Sequence, residues 1–426
     1  MQKHYLSKLP FWSIPMVYAG VTIAMGLIFP RLEYRYFAGY RHGMTVPAAT
    51  AVFSSIASGM LALTGIVFSL AFVMVQFSSV AYSPRLVLWF SRDPVISHGM
   101  GIFTATFIYS LSALGWVDRN GDGRVPFFST WLVILLVIAS VMVLAFLVQR
   151  LAALQVSGVI AFIGKRGRQV IGEMYPVIVT AEGDRETVKN PPNPPALSLP
   201  ATQVILHLGE PMTIAQYDVQ ALIGLAKQAE GVIVMPLAVG DTVVEGDAVL
   251  AVRGGHHMLS SADLRGSIQL ERQRTFDQDP KYAIRLLVDV AIKALSPAVN
   301  DPTTAVQALD EIEDLLRRIG TRYLEVGEVM DDRGVLRLMF PAPTWEDFLS
   351  LAFDEIRFYG ATSLQVMRRL RAALYDIERV VSTLKQKPVR HYIEHLDVTV
   401  EHSISDTEDL ATALQQDRQG LGLSRK

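Results

Sequence analysis

The sequence contains no cysteine, which excludes disulfides, thiolate metal sites and cysteine nucleophiles. It has no charge imbalance either. Lys and Arg total 39 and Asp and Glu 41, so nothing in the global charge favours a nucleic-acid partner. It carries no P-loop, no Rossmann glycine set, no HExxH and no GxSxG, and no enzymatic activity is expected from motifs. Above all, four long stretches lack Asp, Glu, Lys and Arg altogether: residues 11–30, 46–77, 99–117 and 127–148.

What those stretches do contain is apolar. Half of the 426 residues are hydrophobic, and the excess is concentrated before residue 150. About 20 residues at 1.5 Å each cross a ~30 Å hydrocarbon layer, so each run is long enough to span a bilayer as a helix. The second run exceeds that need and tilts or projects beyond the membrane. The first is too long for a cleaved signal peptide and lacks a small-x-small cleavage site, so a retained helix is expected. Four crossings place both termini on one side. Lys3, Lys8, Arg85, Arg92, Arg150, Lys165, Arg166 and Arg168 share the terminal side, against Arg31, Arg35, Arg41, Arg119 and Arg124 on the other. This bias predicts cytoplasmic N- and C-termini.

The second run carries Ser54, Ser55, Ser58, Gly59, Thr64, Gly65 and Ser69. Small residues four apart allow close helix packing in lipid, and the same residues are candidates to line a pore. No charge inside the runs marks a proton relay. Trp12, Tyr34, Tyr36, Tyr40, Trp89, Trp116 and Trp131 lie near helix ends and suit a headgroup belt. Tyr34 with Arg31, Arg35 and Arg41 forms a basic-aromatic group, suited to headgroups or to an anion-attracting vestibule. "DRNGDGR" places Asp118, Asn120 and Asp122 like the front half of a calcium loop. The terminal Glu is missing, and a plain Asn-Gly/Asp-Gly turn explains the segment more simply. No cofactor is expected, and calcium here is the one metal alternative.

The expected fold is a multi-pass α-helical membrane protein with a C-terminal cytoplasmic α+β region. Residues 1–150 form the four-helix transmembrane domain. Residues 151–182 continue as a helix at the membrane surface, with Lys165, Arg166 and Arg168 near headgroups. Residues 183–200 are a Pro-rich linker. Residues 201–257 form a small α/β unit. Its "GVIVMPLAVGDTVVEGDAVLAVRGG" resembles half of a biotinyl or lipoyl carrier domain, but no lysine lies between Lys227 and Lys281 to carry a prosthetic arm. Residues 258–405 are mostly helical, with a β-hairpin near 322–340 and a capping box at Thr344 and Asp347. Residues 406–426 read as a polar tail.

Two blocks go further. "SSVAYSPRLVLWFSRDPVISHGMGIFTATFIYSL" and "RTFDQDPKYAIRLLVDVAIKALSPAVNDPTTAVQALD" resemble the signature blocks of a bacterial family of predicted membrane proteins classed as a domain of unknown function. The resemblance covers nearly the whole chain and implies a helical membrane region followed by an α+β region. It brings no catalytic residue.

The second block contains a corner at residues 296–304. Asp301 before Pro302 has the form of an N-cap followed by proline in the first helical turn. Such a helix start can also hold an anion, with Arg285, Lys293, Asn300, Asp301, Thr303 and Thr304 as candidates. Three function classes follow. The first is a homo-oligomeric channel or pore gated by its cytoplasmic region. The others are a non-conducting membrane scaffold or sensor, and a membrane-surface enzyme. The partners expected are the bilayer and further copies of the chain. No ligand of the cytoplasmic region can be named.

Overall fold

The computed structural model describes residues 13–37, 43–81, 94–121, 123–152, 156–177 and 198–422. The chain divides into two compact units, residues 1–156 and 157–426.

The first unit holds helices α1 (Ser13–Tyr36), α2 (Val46–Ala81), α3 (Pro94–Leu114) and α4 (Phe127–Ala152). All four are long and apolar enough to cross a membrane. Helix α3 is the hub, packing on α1, α2 and α4. Its composition explains this. A Cβ on Gly101 would lie 2.6 Å from the Tyr18 ring, and one on Gly26 would collide with Ser112, so α1 meets α3 nearly backbone to backbone. On the other side Thr106 and Ser140, both fully buried, join α3 to α4 through hydroxyls 3.0 Å apart. Ile102 O and Leu136 O lie within reach of Thr106 and Ser140 respectively, so whichever hydroxyl donates across the interface, the other can donate into its own helix and no O–H is left unsatisfied in hydrocarbon.

The second unit begins with α5 (Val156–Met174), whose Val159, Ile160, Ile163, Val170 and Ile171 are buried. Arg168 on this helix binds Glu311 at 2.6 Å and Asp314 at 2.9 Å. Burial alone would raise the Asp314 carboxyl, but Arg318 and Arg168 together bring it below its ordinary value.

Two sheets follow. Strands β1 (Ala201–Leu206), β3 (Val232–Val234), β5 (Ala248–Arg253), β7 (Glu328–Met330) and β8 (Leu336–Met339) form a five-stranded sheet in the order β1-β5-β3-β8-β7. Strands β2 (Met212–Tyr217), β4 (Thr242–Val243) and β6 (Ile268–Glu271) form the second, in the order β4-β2-β6. Ile205, Ile214, Tyr217, Leu222, Ile233, Leu250 and Leu338 fill the core they share with helix α6 (Val219–Ala229). The β unit therefore does not close at residue 257. β3 pairs in parallel with β8, Ile233 opposite Leu338, and β6 completes the second sheet. Local periodicity carries no information about a partner strand a hundred residues away.

The carrier-like segment is a repeated turn. In the first copy the Ala238 N–H donates to Asp241 Oδ2 at 2.8 Å; in the second the Val244 N–H donates to Asp247 Oδ2 at 2.9 Å. Gly240 and Gly246 have the same φ of +91°, open to glycine and strained for other residues.

The hairpin is shorter than expected and turns at Asp331–Val335. Its Asp331 carboxylate accepts from Arg337 at 2.8 Å and from the Val335 and Arg333 N–H groups. The Arg337 guanidinium is the largest cause holding this carboxyl down at about 2. Because the folded value lies below the ordinary 3.8, the stabilisation is present at neutral pH and disappears as pH falls through the interval from about 4 to about 2. The difference in Tm between the wild type and Arg337→Ala should therefore be clear at pH 6 and shrink across that interval. A difference independent of pH would show that Arg337 acts by packing alone.

The remaining helices are α7 (Ser261–Gly266), α8 (Pro280–Ala294), α9 (Pro302–Gly320), α10 (Trp345–Gly360), α11 (Leu364–Glu378), α12 (Thr383–Ser403) and α13 (Thr407–Ala413). α8 to α12 bury a continuous apolar core that includes Leu287, Leu309, Ile312, Phe348, Phe353 and Leu374. The Thr344–Asp347 capping box opens α10 as its sequence predicts. Residues 406–422 are not a loose tail. α13 packs on α11, Gln365 donates to Gly420 O, and the Asp417 carboxylate gathers the N–H groups of Gln419, Gly420 and Gly422.

Candidate functional site

Helix α2 has two unlike faces. Ala49, Phe53, Ala57 and Val67 are buried within the unit. Thr64 is half-buried, and its hydroxyl donates back to Met60 O, which removes it from the outward candidates. On the opposite side, positions 48, 51, 55, 58, 62, 65 and 69 are Ala, Ala, Ser, Ser, Ala, Gly and Ser, and all are exposed. They alternate three and four apart, the spacing of a helix–helix seam. Over 21 residues the seam runs roughly 32 Å, about the hydrocarbon thickness. Ser54 and Gly59 flank it, and nothing lies within 4 Å of a Cβ built on Gly59 or Gly65. The outward residues of α1 and α4 are different. They include Val17, Val21, Leu27 and Phe29 on α1, and Leu135, Ile138, Val141 and Phe146 on α4. Bulky chains like these suit lipid, whereas a run of small residues suits another helix or water.

One end of this unit is polar. Glu33 lies inside α1 and is only 6% exposed. Its carboxylate accepts from the Phe128 N–H at 2.9 Å, the Ser129 N–H at 3.1 Å and the Ser129 hydroxyl at 2.9 Å. It therefore caps the start of α4 from another helix, and Tyr109 donates to the same Ser129 hydroxyl at 3.3 Å. The absence of acidic and basic residues in the apolar runs gave no warning of this buried carboxylate. Beside it, Tyr34 donates to Trp116 O at 2.8 Å. The guanidinium groups of Arg31 and Arg119 lie 6.0 Å and 4.0 Å from the Trp116 ring centroid, and Arg35 lies 5.8 Å from the Tyr36 ring. The structure thus gathers Arg31, Tyr34 and Arg119 around one tryptophan. Arg41 lies outside the described residues, as do Trp12, Tyr40 and Trp89.

Asp118 and Gly123 close a tight turn. Asp118 has φ +51°, and one of its carboxylate oxygens accepts from the Gly123 N–H at 2.7 Å. That bond organises the turn and leaves Asn120 outside it. Asp122 lies outside the described residues. No group of three or more metal-ligating side chains occurs among the described residues.

In the second unit the signature block builds one device twice. Gln278-Asp279-Pro280 and Asn300-Asp301-Pro302 each place a left-handed residue (φ +49° and +47°), then an aspartate N-cap, then proline at the helix start. Asp279 accepts from the Tyr282 N–H, and Asp301 from the Thr304 N–H and hydroxyl. The left-handed residue turns the chain, the aspartate satisfies an orphan donor, and proline needs no N–H there.

The surroundings differ. Asp279 is 2% exposed and ion-paired with Arg274. A Cβ on Gly240 would lie 2.7 Å from atoms of both partners, so the first Gly-Asp turn rests on this pair. Gln278 clamps the end of β2, accepting from Tyr217 N and donating to Tyr217 O, each at 3.0 Å. The second corner is open, with Asn300 and Thr303 exposed. Arg285 does not reach it. It binds Asp289 and Glu355, nine residues before the end of α8, roughly 13 Å away along the axis. Lys293 lies in the last turn of α8. The helix-start donor at Thr304 is filled by the Asp301 carboxylate, whose charge repels an anion. At the candidate anion corner the structure therefore places an aspartate cap, with Arg285 paired to Asp289 and Glu355 instead.

These features define a class of protein with four helices long and apolar enough to cross a membrane, followed by a folded α+β unit. The chain belongs to the family described as "Predicted membrane protein (DUF2254)", whose model matches residues 8–376. An uncharacterized protein of Mycobacterium bovis and one of Mycobacterium tuberculosis are each 27% identical to it over 404 residues. Each alignment covers 92% of this chain and 74% of the relative. No solved structure matches.

Proposed function

We propose that the protein is a homo-oligomeric pore of the bacterial inner membrane, with its termini cytoplasmic and α2 as the helix that meets its copies. The observation that carries this reading is the seam Ala48, Ala51, Ser55, Ser58, Ala62, Gly65 and Ser69, exposed and opposite the face α2 uses within the chain. A strip of that length and smallness is poorly suited to lipid tails, and close helix approach is what small residues permit. Serine hydroxyls on it would supply polar contact to permeating ions. The C-terminal unit, joined to α4 through the three residues 153–155, is the regulatory region in this reading. The residues at the Trp116 cluster form the charged entrance.

Absence of cysteine makes the test clean. Ser58→Cys in the native background should form a disulfide-linked dimer on oxidation in membranes, while Leu135→Cys on the lipid-suited face of α4 should not. Purified protein in liposomes should conduct, and Ser58→Leu should reduce flux at least tenfold by obstructing the seam. Cross-linking at Ser58 without flux under any salt, pH or voltage would favour the second reading, a non-conducting scaffold. The smallness of the seam is what supports that alternative, because helices packed so closely can leave no lumen.

A further inference from the structure

Helix α12 packs against its neighbours through Val389, Ile393, Leu396 and Val400. The opposite, solvent-facing side of such a helix normally carries charge. That side here carries the exposed Lys387, Arg390, Glu394 and Glu401, and His391, His395 and His402 are exposed alongside them. His391 and His395 stand one turn apart, and both are exposed. Their ring centroids are 6.2 Å apart and their planes 26° from parallel. His391 also meets the edge of Tyr392, which steadies one ring. Among the described residues no hydrogen bond engages a nitrogen of either ring, so each neutral ring can turn its unprotonated nitrogen to a metal.

We propose that His391 and His395 form a two-point site for a borderline divalent cation of the Zn²⁺, Ni²⁺ or Cu²⁺ class. Neutral imidazole nitrogen is a preferred ligand of these ions, whereas Mg²⁺ and Ca²⁺ prefer oxygen. A metal about 2.0–2.1 Å from one nitrogen of each ring requires centroids roughly 5–6 Å apart, which small side-chain rotations supply here. The i, i+4 spacing does the positioning, because both rings project from one face of a helix whose far side is locked in the core. The remaining coordination positions belong to water, since no third His, Asp or Glu joins the pair among the described residues. His402 shares the face but stands seven residues beyond His395, roughly 10 Å along the axis, too far to bind the same ion.

The test uses the full chain in detergent with any affinity tag removed, titrated calorimetrically with Zn²⁺ and with Ni²⁺ at pH 7.5. The expected result is one cation per pair, with His391→Ala and His395→Ala each weakening binding at least tenfold and His402→Ala leaving it unchanged. Acidification should weaken wild-type binding, because protons compete for both rings. All three residues are exposed, so the substitutions should not disturb folding, and an unchanged Tm without metal checks this. Absence of saturable uptake by the wild type, or equal affinity in His391→Ala, would overturn the proposal.

Discussion

Replacing Glu33 by alanine is expected to lower the Tm of the detergent-solubilised protein by about 10 °C. The carboxylate is buried and accepts three hydrogen bonds, two of them from backbone N–H groups at the start of α4. Hydrogen bonds to a charged acceptor contribute about 1.5–3 kcal/mol each, and removing the acceptor leaves buried donors unsatisfied. The three are not additive, so a total of roughly 3–5 kcal/mol is expected, and about 2–4 °C accompanies each kcal/mol in a chain unit of this size. Glu33→Gln keeps an acceptor oxygen without the charge and should lose less than half as much. If Glu33→Ala melted with the wild type, the carboxylate would not be the cap that geometry makes it.

The two corners give the second large effect, as a contrast. Asp279→Ala removes a helix cap and also strands Arg274, whose partner it is. Breaking a buried pair from one side costs about 3–5 kcal/mol, and since Arg274 is 31% exposed the lower end, roughly 3 kcal/mol, applies. Asp301→Ala removes a cap of the same local form but no ion pair, so about 1 kcal/mol is expected. Chemical denaturation of the two variants should separate them by some threefold. Equal losses would mean that the Arg274–Asp279 pair contributes little beyond the cap. At Asn300, with φ +47°, glycine should be tolerated, and valine should cost at least about 1 kcal/mol through left-handed strain.

These contrasts show where the sequence was readable. The Asp301-Pro302 corner, the Gly-Asp turns and the Thr344 capping box are local chemistry, with donor and acceptor within a few residues of each other, and the spacing alone locates them. The four membrane-length helices are equally local, since 20 uncharged apolar residues need no partner to be recognised. The partners of Arg168, the burial of Glu33 and the docking of residues 406–422 were not legible for a shared reason. Each is defined by a partner far along the chain: Glu311 for Arg168, Ser129 for Glu33, and α11 for residues 406–422.

The serines and glycines of α2 stand between these cases. Their identities were plain, but the sequence could not say which of them face outward. Packing decided it. Once Phe53, Ala57 and Val67 take the inner face against α3, helical geometry turns Ser55, Ser58, Gly65 and Ser69 outward and Thr64 inward. The sequence by itself determined that this is a membrane protein with sharply capped corners, because hydrophobic length and capping act over one or two turns. The tertiary structure alone decided which small residues form a continuous outer seam, which carboxylate is buried and which charges are already paired. Those properties depend on what lies across the interface and not on what lies next in the chain.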